Sequence, residues 1–181
     1  MKSFLTASRI SRPGSVRLIA AAGTAVIAAL AMIGCSGEGD SAGKSVPFKG
    51  SAATTMTFGR SPDCATDQLF VQATGSGNAT ELDKYSVVQS HCGYVPGDIT
   101  NGKITFTAAN GDSLNATYKG KSTPASAGVL AVAVEGTITG GTGRFAGAGG
   151  TVNVTATANP ATMEMTFTHD GTITSVGASK K

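Results

Sequence analysis

The chain alternates apolar and polar residues almost continuously from about residue 51, and this region shows no convincing 3.6-residue period of a helix. Six segments alternate most clearly, at about 84–89, 103–108, 113–119, 130–139, 151–157 and 163–168. Two weaker strands are predicted near 52–58 and 68–75. The polar faces are rich in threonine, which suits the wet face of a strand because it is β-branched yet polar. The pattern therefore predicts about eight strands, each with one buried face.

Strands that bury only one face are typical of antiparallel sheets, so we expect an all-β domain over residues 51–176 with a polar tail at 177–181. Eight short strands at regular spacing suit either a closed barrel or a β-sandwich. The dipeptide Asn110-Gly111 is the strongest hairpin signal, because a type I′ turn needs positive φ at both central positions.

A glycine-rich segment lies between the predicted strands at 130–139 and 151–157. It reads Gly140-Gly141-Thr142-Gly143-Arg144-Phe145-Ala146-Gly147. It misses the spacing of a dinucleotide-binding motif by one residue, and no helical pattern follows it. A turn with close backbone packing explains these glycines better.

This segment, taken with residues 101–106 and 110–112, resembles the barrel family that includes allene oxide cyclases and dirigent proteins. It is most similar to bacterial members that carry the same Gly-Gly-Thr-Gly-Arg-Phe segment. The resemblance covers residues 52–175 and implies an eight-stranded antiparallel, calycin-like barrel. It does not imply cyclase activity, because no catalytic residue of the plant cyclases can be matched here position by position.

The first 34 residues have the pattern of a bacterial signal peptide. An apolar run over residues 18–33 follows a basic segment that contains Lys2, Arg9, Arg12 and Arg17 and no acidic residue. As a helix, sixteen residues would span about 24 Å, which is short for a bilayer core of roughly 30 Å. The run ends in Ala31-Met32-Ile33-Gly34-Cys35, which resembles a lipobox except that Met32 replaces the usual leucine.

We therefore expect cleavage before Cys35 and a lipid on its thiol, with an ordinary signal peptide as the alternative. The polar, glycine-rich residues 35–50 then form a flexible tether. This places the protein in the cell envelope, anchored to the outer face of the cytoplasmic membrane or to the outer membrane. Without the signal the chain keeps ten Lys and Arg against eleven Asp and Glu, so charge gives no argument for nucleic-acid binding.

Assigning Cys35 to lipid leaves one pair of cysteines, Cys64 and Cys92. In an oxidising compartment an even pair predicts a disulfide. The alternative is a metal site formed by Cys64, His91 and Cys92, but this spacing lacks the two pairs of ligands of a structural zinc site.

Five polar side chains continue the inward phase of the predicted strands, namely Tyr85, Gln89, His91, Tyr118 and His169. Polar groups among apolar ones near strand ends are what the mouth of a barrel cavity needs. We predict that these residues bind a small apolar or amphipathic ligand and that His91 and His169 face one cavity. The alternative is that each is exposed, or is buried and satisfied by a backbone partner.

No motif for nucleophilic or metal-dependent catalysis is present, so the sequence predicts no catalytic residue, metal or cofactor and indicates no oligomeric state. Three functions remain open: a barrel that binds a small ligand, an interaction or structural module whose barrel is filled, and a cyclase or isomerase by family analogy. Small inward residues leave room for a ligand, or else let the barrel close around its phenylalanines; they include Ala108, Ala116, Gly136 and Ala156.

Overall fold

The computed structural model describes residues 44–174 and Gly177. They form eight strands and one short 3-10 helix: β1 (Ser45–Gly59), β2 (Leu69–Ala79), β3 (Asp83–Gly93), β4 (Gly97–Ala108), β5 (Ser113–Ser126), β6 (Val129–Gly141), the 3-10 helix (Gly143–Phe145), β7 (Gly149–Asn159) and β8 (Glu164–Thr174). The predicted signal peptide at 1–34, the predicted lipidation site Cys35 and, apart from Gly177, the predicted tail at 177–181 lie outside the described residues. Within the described residues, no helix has the length and apolarity to span a bilayer.

The eight strands form a closed antiparallel barrel in which each strand pairs with the next and β8 pairs back with β1. Ala52 on β1, for example, lies opposite Gly77 on β2 and Phe167 on β8. The predicted fold class is confirmed as a barrel, and the sandwich is excluded. Buried and exposed positions alternate along the strands, so the apolar faces point inward and the threonine-rich faces point outward.

The barrel begins earlier in the chain than predicted, because β1 starts at Ser45 rather than near residue 52. Val46 and Phe48 are buried while their neighbours on the strand face outward, and Phe48 is fully buried. The predicted tether boundary at residue 50 is therefore wrong. The strand was missed because glycine, lysine and proline, which are rare in strands, surround these two apolar residues. Pairing with β8 stabilises it nonetheless.

A β-bulge changes the phase of β4. One extra residue lies between Thr100 and Lys103, which pair with Cys92 and Ser90 on β3, and Asn101 adopts φ of 52° there. Because of this insertion Ile99 points into the barrel together with Ile104 and Phe106.

Two further sequence predictions need correction at turns. The hairpin at Asn110-Gly111 is present, but only Gly111 has positive φ, and a four-residue connection bonded from Gly111 N–H to the Ala108 carbonyl replaces the predicted type I′ turn. Met163, the first residue of the predicted strand at 163–168, lies instead in the β7–β8 turn with φ of 60° and is 38% exposed.

Candidate functional site

The two ends of the barrel differ. The closed end carries the β2–β3, β4–β5 and β6–β7 connections, and the open end carries the β1–β2, β3–β4, β5–β6 and β7–β8 connections. The predicted family motif lies at the closed end, where Phe145 is fully buried and the Leu82 side chain is also buried. These two side chains plug the barrel.

Arg144 joins the three connections of the closed end. Its Nη2 donates to the Glu81 carbonyl, its Nε lies 3.9 Å from an Asp112 carboxylate oxygen, and its guanidinium lies 4.9 Å above the Phe145 ring. A side chain on Gly143 would overlap Asp112, which explains a glycine with φ of 57° at that position. The glycine-rich motif is thus explained by a structural lock, in agreement with its interpretation as a closely packed turn.

Above this plug an aromatic cluster fills the barrel around His169. The His169 ring centroid lies 4.3 Å from that of Phe48, 5.4 Å from that of Phe106 and 6.2 Å from that of Phe167. The Tyr85 hydroxyl lies 3.4 Å from His169 Nε2 and donates to the Ser51 carbonyl at 3.2 Å. Within the described chain His169 Nδ1 makes no well-directed hydrogen bond.

Inward-facing glycines make room for these rings. A methyl group on Gly50 would lie 2.7 Å from His169 Nε2, and one on Gly77 would lie 2.8 Å from the Tyr85 hydroxyl. Real side chains do not approach so closely, so the glycines and the rings fit each other in pairs. This part of the barrel is filled by its own side chains and offers no room for a ligand.

At the open end the interior is apolar and not completely filled. A cleft of about 40 Å³, which we call the mouth cleft, lies between side chains of all eight strands and two connections. Its lining consists of Met56, Phe58, Val71, His91, Tyr94, Val95, Ile99, Ser122, Leu130, Val132, Ala158, Pro160 and Met165. None of these residues is Asp, Glu, Lys or Arg, and His91 is the one histidine among them.

His91 and Tyr118 form a hydrogen-bonded pair at the wall of the mouth cleft. His91 Nδ1 lies 2.9 Å from the Tyr118 hydroxyl, which also donates to the Ser90 carbonyl at 3.3 Å. The imidazole tautomer sets which atom donates in the first bond, because the phenol has one proton to share between Nδ1 and the Ser90 carbonyl. His91 Nε2 has no hydrogen-bond partner among the described residues.

The other polar side chains of the lining are already engaged. The Ser122 hydroxyl accepts from the Gly97 N–H at 3.0 Å, and the Tyr94 hydroxyl donates to an Asp67 carboxylate oxygen at 2.7 Å. His91 Nε2 is therefore the uncommitted side-chain polar atom of the described lining. An apolar cleft with one such atom suits a ligand with an apolar body and one hydrogen-bonding group.

Burial determines the charge of the polar groups in the barrel. It lowers the pKa of His91 to about 4 and that of His169 to about 4; for His169 the Phe48 backbone and the Asp170 carboxylate partly oppose the effect. Burial also raises the pKa values of Tyr85 and Tyr118 well above their usual range. At neutral pH all four groups are uncharged.

The disulfide between Cys64 and Cys92 is confirmed, with Cα atoms 5.3 Å apart, and it withdraws both thiolates from any metal site. It holds the β1–β2 connection at residues 60–68, which we call the strap, against the outside of β3. Two more contacts fix the strap: Asn101 Nδ2 donates to the Asp63 carbonyl, and Asp67 accepts from Tyr94. The strap thereby supports the mouth cleft from outside.

The five predicted ligand-binding residues face the interior but do not form one site. Tyr85 and His169 belong to the filled aromatic cluster, whereas His91 lines the mouth cleft with Tyr118 behind it. Gln89 lies between the two layers, with Nε2 3.9 Å from Met165 Sδ. The expectation that His91 and His169 face one cavity is wrong, since six residues of β3, about 20 Å, separate His91 from the Tyr85 that touches His169.

Sequence reasoning missed Tyr94 and Ile99 as lining residues. Ile99 is out of phase with the rest of β4 unless the bulge at Asn101 is known. Asparagine next to glycine at 101–102, a combination that tolerates positive φ, was the available signal.

No protein-family model matches the chain, and no curated protein matches it. Among solved structures it is similar to the pterocarpan synthase dirigent protein PsPTS1, with a TM-score of 0.50 and 14% sequence identity, over 74% of this chain and 97% of that protein. At this identity the likeness shows the fold alone. The chain thus has a dirigent-like, closed eight-stranded barrel fold.

Proposed function

We propose that the chain is an exported lipoprotein, anchored through Cys35, whose barrel binds a small apolar or amphipathic molecule at its open end. The observation that carries the binding proposal is the mouth cleft, an apolar lining with one uncommitted polar atom, His91 Nε2. The confirmed disulfide supports an oxidising, exported environment. The ligand that fits is uncharged, because no side chain of the lining carries a permanent charge and the pKa of His91 lies near 4.

Ligand entry requires movement of the open end. A volume of about 40 Å³ holds two or three water molecules, far less than an organic ligand needs. Phe58, Val95 and Pro160 are only half-buried at the entrance, so their displacement exposes little new apolar surface. The aromatic cluster below is closely packed and forms a rigid floor.

The filled aromatic cluster favours a second candidate function, an interaction or structural module that binds no small molecule. This alternative predicts that the mouth cleft never enlarges. An enzymatic function has less support, because neither histidine is hydrogen-bonded to a carboxylate among the described residues.

The test uses the absence of tryptophan from the chain. Leu130→Trp places one fluorophore at the entrance of the mouth cleft, and Val88→Trp places one on the outer wall, where Val88 is 54% exposed. 6-Bromo-1-hexanol, an apolar alcohol that quenches tryptophan, is titrated into each variant of the mature chain. The proposal predicts saturable quenching at position 130 and weak, linear quenching at position 88. Linear quenching at both positions would support the filled module.

A further inference from the structure

The tips of three neighbouring hairpins surround the mouth cleft and are apolar. We define the apolar rim as residues 94–96, 124–130 and 160–163, at the β3–β4, β5–β6 and β7–β8 connections. Most of the rim is exposed, including Tyr94 at 40% and Met163 at 38%. These two and Val88 are the exposed large apolar side chains of the described chain, so two of the three lie on the rim.

The rim and its flanking strand ends are uncharged over long stretches of sequence. Residues 93–97, 122–134 and 154–163 contain no Asp, Glu, Lys or Arg. The remaining connection of the open end, the strap, carries Arg60, Asp63 and Asp67, and the closed end carries Glu81, Asp112 and Arg144. The three rim segments thus carry no charge of their own, and the carboxylates that contact them, Glu164 at Thr162 and Asp67 at Tyr94, lie at their edges.

The rim is continuous with the mouth cleft. A shallow apolar groove of about 310 Å³ runs between the β5–β6 and β7–β8 tips, and it shares Val95, Leu130 and Pro160 with the cleft. A molecule that leaves the cleft therefore crosses apolar surface before it meets water. A surface of this kind marks an interaction site rather than an ordinary solvated end.

We propose that the apolar rim is a membrane-contact surface that rests on a phospholipid bilayer and opens the mouth cleft directly to the lipid phase. This inference rests on the proposed function, since it supplies the route by which an apolar ligand enters. Three separate tips with small, uncharged side chains can enter a fluid interface without the shape complementarity that a protein partner requires. Tyr94 contributes an aromatic ring whose hydroxyl stays polar through Asp67, the arrangement favoured at bilayer interfaces.

The test maps lipid contact on the mature chain in phosphatidylcholine vesicles. Single cysteines replace Ala127 on the rim and, as a control, Asn110 at the closed end, and each is labelled with NBD without reductant so that the disulfide stays intact. Vesicles containing phosphatidylcholine with a nitroxide on its acyl chain should quench the label at position 127 at least threefold more than the label at position 110. Adding Met163→Glu should reverse most of this difference, whereas Val88→Glu should not.

Two outcomes would overturn the inference. Equal, weak quenching at both positions shows that the rim stays in water. A blue-shifted label at position 127 that lipid nitroxide does not quench shows that a second copy of the chain covers the rim instead. Either result is separable from failure of the proposed function, because 6-bromo-1-hexanol binding is measured independently with Leu130→Trp.

Discussion

The Tyr118 hydroxyl lies 2.9 Å from Nδ1 of His91 and so fixes the imidazole at the wall of the mouth cleft. Tyr118→Phe removes this bond and the one to the Ser90 carbonyl. We expect a loss of about 1–2 kcal/mol in the free energy of unfolding, together with weaker binding of 6-bromo-1-hexanol, because buried partners are left unsatisfied. Urea unfolding and titration in the Leu130→Trp background measure both quantities.

Tyr94→Phe is the matched control for that substitution. It also removes a tyrosine hydroxyl, but one that is bonded to an exposed carboxylate at the surface. Its cost should be less than half of that of Tyr118→Phe, since water replaces the lost partner. Equal losses of unfolding free energy in the two variants would show that the His91–Tyr118 hydrogen bond stabilises the fold no more than a surface bond does.

Stability should fall in mild acid because two buried histidines are neutral in the fold. Their pKa values lie near 4, against about 6.5 in the unfolded chain, so the unfolded state binds more protons between these limits. The free energy of unfolding is therefore largest above pH 6.5 and decreases as the pH falls toward 4. Between pH 7 and pH 5 each histidine contributes a loss of about 2 kcal/mol.

His169→Phe tests that assignment, since it replaces one ring by another within an aromatic cluster. Urea denaturation at pH 7 and pH 5 should show about half of the wild-type loss in the variant. An unchanged pH dependence would mean that His169 does not titrate as its burial requires.

Replacing Gly102 by alanine is predicted to destabilise the barrel. A Cβ atom there would overlap the Tyr118 ring, which packs against the bulge of β4. Gly102→Ala should lower the free energy of unfolding by about 1–3 kcal/mol, the range of overpacked cores. Gly59→Ala provides the control, because nothing lies within 4 Å of the position that its new methyl group would take. Thermal unfolding of both variants should separate them; similar melting temperatures would contradict the tight fit.

Removing the disulfide should loosen the strap as well as destabilise the chain. Cys64 and Cys92 are separated by 28 positions, which corresponds to about 3–4 kcal/mol in the chain-entropy description. The Asp67 hydrogen bond raises the pKa of Tyr94 in the intact protein. In the double variant Cys64→Ser/Cys92→Ser we expect the Tyr94 pKa to fall toward its usual value.

Ultraviolet titration detects that change, because burial keeps the pKa values of Tyr85 and Tyr118 higher. Ser90→Ala, on the same strand, is a control that leaves the strap intact. An unaltered tyrosine titration after loss of the disulfide would show that the strap is held by its hydrogen bonds alone.

The inward faces of the strands were predictable because period-two alternation survives along each strand, as it does from Tyr85 to His91. The alternation gives the wrong face where the sequence does not reveal an inserted residue. At Asn101 such a bulge shifts the alternation and turns Ile99 inward. The alternation also fails where a strand reads as a linker: Phe48 is fully buried although polar residues and glycine surround it.

The site was only partly predictable, because alternation shows which face of the sheet a residue occupies but not its position along the barrel axis. His91 and His169 both point inward, yet the pairing of Tyr85 with Gly77 and of His169 with Gly50 places His169 beside Tyr85, far from His91. Strand register depends on contacts between distant segments, so the separation into a filled cluster and an apolar mouth emerges only in the folded barrel.

These two histidines provide the most direct test of the claim that ligand binds at the mouth cleft, because the chain contains no others. Their imidazole Hε1 resonances can be followed by NMR while 6-bromo-1-hexanol is added to the mature chain. Binding at the mouth cleft predicts a saturable shift of the His91 resonance and a stationary His169 resonance. A shift of His169 alone, or no shift of either resonance at saturating alcohol, would contradict it.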